Sequence, residues 1–164
     1  MTGWRIGYTT TSGAWGLKFM KAMATLQGQM TTNITSFVYP AIGVALRECG
    51  AEVEHMRQAF ARRAELIFGL SQKIPGLRAA RPTGAFYLFP DVSAHFGKSG
   101  TDGRTIASAM DFCESLLASH LVACVPGEDF GGCGGRHIRI SFACSEEHIR
   151  KGMARLGEFV AALR

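Results

Sequence analysis

Met1-Thr2-Gly3-Trp4-Arg5-Ile6-Gly7-Tyr8 opens the chain and sets how the rest of it is read. A glycine turn leads into residues whose alternation predicts a short strand, with Trp4, Ile6 and Tyr8 pointing one way and Arg5 and Gly7 the other. One permanent cation then stands beside a position without a side chain, as a site for a bound anion needs. The same eight residues also fit an edge strand with a solvated arginine.

Beyond a polar turn over 9–14, Trp15 to Leu26 reads as a short helix with Leu17, Met20, Met23 and Leu26 on one stripe. Residues 27–39 are polar and threonine-rich, a loop with Thr35 or Ser36 as candidate N-cap before Phe37. Tyr39 to Arg47 continues as a helix that Cys49-Gly50 ends. Glu52 to Ile74 carries the strongest helical pattern: Val53, Met56, Phe60, Ala64, Ile67, Leu70 and Ile74 recur at three- and four-residue steps, and Pro75-Gly76 stops it. Such a rod is about 35 Å long, enough to bridge two domains.

From Leu77 the pattern changes. Ala85 to Phe89 is an apolar run between turn residues, a buried strand. A loop over 93–104 precedes a helix over 105–120 with Ile106, Met110, Cys113, Leu116 and Leu117 inward, then a short strand over 121–125. Five glycines crowd into 126–135, but neither G-x-x-x-x-G-K-S/T nor G-x-G-x-x-G occurs, so a turn is expected there and not a nucleotide cradle. His137 to Ala143 alternates, with Ile138, Ile140 and Phe142 on one face and Arg139 and Ser141 on the other. An arginine within so short an apolar strand needs a partner, either an acidic side chain or a bound anion. Ser145 caps a last helix whose inner stripe is Ile149, Met153, Leu156, Val160 and Leu163.

Composition narrows the classes. With 164 residues, 47% apolar and 19% charged, the chain suits one folded domain or one and a fraction. It holds no run of about 18 apolar residues, so no membrane span is expected, and no signal-peptide pattern, so a cytoplasmic protein is expected. The net charge of +5 comes from scattered cations, with Arg62-Arg63 and Arg150-Lys151 the only adjacent pairs, which argues against nucleic acid. Five cysteines without a C-x-x-C pair and five dispersed histidines suggest neither disulfides nor a metal site.

Four co-linear phrases resemble one family. The opening phrase resembles the segment that follows the cofactor lysine in class I, aspartate-aminotransferase-like enzymes dependent on pyridoxal phosphate. Residues 27–39 resemble that family's Gln-x-x-x-Ser-Asn-Pro-x-Ser stretch, with Ile34 in place of proline and Tyr39 in place of glutamine. Pro82-x-Gly84-Ala85-Phe86-Tyr87-Leu88-Phe89 resembles its small-domain strand. Val125-Pro126-Gly127-x-x-Phe130-Gly131-x-x-Gly134 with Arg139-Ile140-Ser141-Phe142-Ala143 resembles the loop and strand that carry its substrate-binding arginine.

The resemblance implies an α/β chain forming the C-terminal part of the pyridoxal-phosphate transferase fold: the tail of the large domain over 1–45, a connecting helix over 46–74 and a small α+β domain over 75–164. It implies that Arg5 binds the cofactor phosphate, that Arg139 binds the α-carboxylate of an amino acid, and that Asn33 lies near a subunit interface and the neighbouring active site. The implied reaction is reversible amino-group transfer between an amino acid such as aspartate and a 2-oxo acid, in a homodimer. The family's Schiff-base lysine falls before Met1, and none of Lys18, Lys21, Lys73, Lys98 and Lys151 takes its place in the motif, so these 164 residues are expected to be catalytically inactive. A non-catalytic truncated relative acting as a binding or assembly module, and a lyase sharing the fold, use the same residues.

Overall fold

Three helices precede any strand in the computed structural model, which describes residues 2–100 and 103–164: α1 (Gly13–Met30), α2 (Val38–Glu48) and α3 (Gly50–Ser71). Then follow β1 (Tyr87–Leu88), α4 (Ala109–His120), β2 (Val125–Pro126), β3 (Ile138–Ser141) and α5 (Glu146–Ala162). Met1 of the opening phrase and residues 101–102 of the expected 93–104 loop lie outside the described residues. The chain divides into two compact units, Met1–Val53 and Glu54–Arg164, with the boundary inside α3.

In the first unit the strand expected over 4–8 is absent. Thr2–Trp4 forms a 3-10 turn, Arg5 takes a left-handed φ of 55°, and residues 6–8 are irregular. A strand needs a neighbour to bond with, and none of the described residues of this unit is in a strand. Trp4 instead meets Phe37 edge to face at 5.3 Å. α1 outruns the expected 15–26 at both ends. Ser12 stands extended at its N-cap, and Gln27 to Met30, made mostly of good helix formers, carry it on until Thr31. α2 starts at Val38 with Phe37 at the cap; Thr35 and Ser36 contribute carbonyls, which accept from the Val38 and Tyr39 amides at 3.1 and 3.2 Å. Pro40 sits in the first turn, where its missing N–H leaves nothing unpaired. Cys49 ends α2 as expected, and Gly50 begins α3.

The second unit holds one apolar core around a three-stranded antiparallel sheet of order β1-β3-β2. α3 ends at Ser71, short of the expected Ile74, because Ser71 Oγ donates to the Phe68 carbonyl at 2.7 Å and the chain turns, folding Ile74 into the core. Its stripe is buried only towards the C-terminus: Ile67 is in the core and Met56 is exposed. α4 begins four residues later than the apolar spacing predicts. Ser108 Oγ accepts from the Asp111 amide at 3.1 Å and fixes the start, while Ile106 is buried through backbone pairing with Gly97 and Lys98. The strand expected over 121–125 shrinks to Val125–Pro126, since Leu121 takes a left-handed φ of 57° to close α4. The strand expected over 137–143 shortens to Ile138–Ser141, but the buried faces of this stretch and of α5 match expectation: Ile138, Ile140 and Phe142 are buried, as are Ile149, Met153, Leu156, Val160 and Leu163. Phe112 of α4 meets Phe159 of α5 edge to face at 5.1 Å. Among the described residues no helix is long and apolar enough to cross a membrane.

Candidate functional site

β3 is the central strand, and its alternation decides what lies on either side. With the two isoleucines and Phe142 committed to the core, Arg139 must stand on the opposite face. Register is fixed by Tyr87 pairing with Ser141, Leu88 with Ile140 and Val125 with Arg139. Hydrogen bonds from the Phe142 amide to the Phe86 carbonyl at 2.9 Å and from Ile138 to Pro90 at 3.1 Å extend the β1 side of the ladder. Tyr87 is therefore the diagonal same-face neighbour of Arg139. The Arg139 guanidinium carbon lies 4.5 Å from the Tyr87 ring centroid and 4.4 Å from that of Phe130.

The structural role left open for Arg139, a salt bridge, falls instead to Arg136. Arg136 Nη2 meets Asp91 Oδ2 at 3.1 Å, and its Nε and Nη2 donate to Ser93 Oγ at 3.1 and 2.9 Å. The Arg139 side chain has no ion pair or hydrogen bond with another described residue. Its N–H edges are available to a carboxylate, which a planar fork grips with two parallel bonds.

Arg5 and Asn33 belong to the first unit and Arg139 to the second. Arg5 is exposed on its left-handed turn, and it too is without an ionic partner among the described residues. Asn33 Oδ1 accepts from the Ile34 amide at 3.0 Å and from the Tyr39 hydroxyl, so the asparagine organises the loop before α2. Burial, together with the Cys124 thiol nearby, pushes Cys113 up to about 12, and burial does the same to Cys124, so neither thiol is a nucleophile near neutral pH. A cavity of about 310 Å³ opens over Ile140 between Ile67, Leu121 and the α5 residues Met153 and Leu156. Arg139 does not line it, so volume alone would point away from the chemistry.

Two flanking residues escaped the sequence reading. Phe130 and Tyr87 stand 9 and 52 positions from Arg139, and no periodicity joins the three. The available signals were the fixed Phe130 in its glycine-rich phrase and Tyr87 in the β1 run, each readable as core packing.

The phosphate end of pyridoxal phosphate would call for a cation, and Arg5 is the residue of the opening phrase that could supply it. The Arg5 guanidinium, exposed and without an ionic partner among the described residues, could take a phosphate. Lys18 and Lys21 are exposed on α1.

Fold and site together describe a central strand that carries one arginine, flanked by two rings and without an ionic partner among the described residues. Residues 1–156 match the family model for aminotransferase class I and II, and the chain belongs to that family. An aspartate/prephenate aminotransferase of Cereibacter sphaeroides is 36% identical over 163 residues, 99% of this chain and 39% of the relative. The crystal structure of the aspartate aminotransferase from Rhizobium meliloti superposes with a TM-score of 0.86 at 35% identity, covering 100% of this chain and 40% of that one. An aromatic aminotransferase from Pyrococcus horikoshii gives 0.79 at 30% identity, with 98% and 40% covered. The chain thus spans about two fifths of the length of these proteins. Its fold is the C-terminal portion of theirs.

Proposed function

We propose that these residues supply the carboxylate- and phosphate-binding arginines of an aminotransferase that moves an amino group between an α-amino acid such as aspartate and a 2-oxo acid. The observation that carries the reading is Arg139: a guanidinium on the central strand, flanked by rings and without an ionic partner among the described residues. Its fork takes both oxygens of the α-carboxylate, a charge-assisted contact worth about 1.5–3 kcal/mol. Arg5 binds the phosphate of pyridoxal phosphate, and that cofactor, when bound, supplies the electron sink for amino-group transfer. Residues 1–45 act as the tail of the cofactor domain, 46–74 as the connecting helix and 75–164 as the small domain.

The assembly is a cytoplasmic homodimer with Asn33 close to the partner subunit. Exposed apolar side chains on the first unit, Trp15 at 74% among them, support association.

Titrating the 164-residue chain with inorganic phosphate and with propionate tests the division of roles. Arg139→Ala is expected to weaken propionate about tenfold or more while sparing phosphate, and Arg5→Ala the reverse. Equal losses in both variants would refute the assignment.

A further inference from the structure

We propose that Tyr87 and Phe130 are positioning residues for Arg139: their ring faces hold the guanidinium so that its N–H edges, and little else, are open to a ligand. The proposal rests on the reading of Arg139 as the carboxylate-binding residue.

Phe130 is the more telling of the two. It is 46% exposed, so burial does not account for its placement. Its ring meets the Arg139 guanidinium at 4.4 Å and Phe89, edge to face, at 6.1 Å. Phe89 is in turn stacked on His137 at 4.9 Å. The following Gly131 has a φ of +119°, a conformation that side chains rarely adopt, so the chain turns away directly after delivering the ring. On the other flank the Tyr87 ring lies 4.6 Å from Phe86, which stacks at 5.5 Å on Phe60 of α3. The guanidinium therefore sits between two backed series of rings.

Without those rings nothing described would fix it. Among the described residues Arg139 has no acidic neighbour of the kind that holds Arg136, and a long flexible side chain would have to be ordered at the moment of binding. Ring faces attract the cation without occupying its donors, so they can orient it and still leave every N–H for the carboxylate. A carboxylate in place of either ring would fix the arginine equally well and silence it.

The test uses the 164-residue chain and variants Phe130→Leu and Phe130→Tyr, with propionate as probe. In the wild type the Arg139 Nε–H signal should be shifted upfield by the rings and its guanidinium rotation slowed. Phe130→Leu should cut the shift by about half, leaving the part due to Tyr87, and weaken propionate about two- to fivefold, with the unfolding temperature changed little. Phe130→Tyr should restore both. A Phe130→Leu protein with wild-type Arg139 signals and affinity, or a tyrosine that fails to rescue, overturns the proposal. Should Phe130→Leu not fold, the Phe130→Tyr signals and a Tyr87→Phe variant decide it, since both must behave as wild type. Undiminished propionate binding by Arg139→Ala would instead overturn the carboxylate reading, and the Arg139 signal would still decide the positioning.

Discussion

Gly127 and Gly134 meet backbone to backbone: a Cβ on Gly134 would lie 1.9 Å from the Gly127 carbonyl oxygen, and one on Gly127 would lie 2.3 Å from that of Gly134. The contact is closed by hydrogen bonds from the Gly127 amide to the His137 carbonyl and from the His137 amide to the Gly134 carbonyl, both 2.8 Å. Phe130 lies on the loop between these two glycines, and Arg139 follows two residues after His137. A tight backbone crossing thus sets the distance from ring to guanidinium. Gly134→Ala is expected to cost about 1–3 kcal/mol in urea unfolding, because backbone atoms cannot yield as a side chain can. Gly132→Ala, in the same loop with nothing within 4 Å, should be close to neutral and serves as the control. Equal midpoints for the two variants would contradict the crossing.

What was legible in the sequence follows the range of the forces involved. β3 and α5 could be read because one buried face imposes its period on four to seventeen consecutive residues. The 4–8 segment carries a similar alternation, but alternation predicts a strand only where a partner strand exists, and Trp4 found Phe37 instead. The glycines of 126–135 suggested a turn; that two of them touch is a tertiary fact no local pattern holds. Arg139 was visible as a cation in an apolar strand, yet Tyr87 and Phe130 reach it through sheet register and a loop crossing.

The start of α4 was legible and was overridden. Ile106 extends the apolar spacing backwards, whereas Ser108-Ala109-Met110-Asp111 is a reciprocal cap: Asp111 Oδ2 accepts from Ser108 Oγ at 2.8 Å and from the Ala107 amide at 3.1 Å. Ser108→Ala is expected to cost about 1 kcal/mol in thermal or urea unfolding, with slower-exchanging amides lost from the first turn only. Ser108→Asp should retain most of the stability, since a carboxylate also accepts from the Asp111 amide, although it faces the Asp111 charge. An alanine variant as stable as the wild type would show that packing of Phe112 and Leu116 alone sets the boundary.

His95 gives the fold a dependence on pH. The ring is 2% exposed, 5.8 Å from the Phe112 ring, and so close under Gly76 that a Cβ there would lie 2.7 Å from His95 Nε2. Burial holds its pKa below the ordinary 6.5, the Lys98 charge adds to that, and the Pro75 carbonyl opposes both. The sign follows directly. The unfolded chain takes up a proton at this histidine near pH 6.5 while the folded chain does not, so stability is complete above that pH and declines as pH falls towards the lower folded value. His95→Gln removes the titration and keeps a polar side chain of similar size. Its unfolding temperature should be flatter than that of the wild type between about pH 6.5 and pH 5, whatever its absolute offset. The carboxylates Asp91 and Asp111, held below their usual range, are present in both proteins and cancel in the comparison. Parallel profiles would mean that His95 keeps an ordinary pKa in the folded chain, and hence that water reaches it beneath the Gly76 turn.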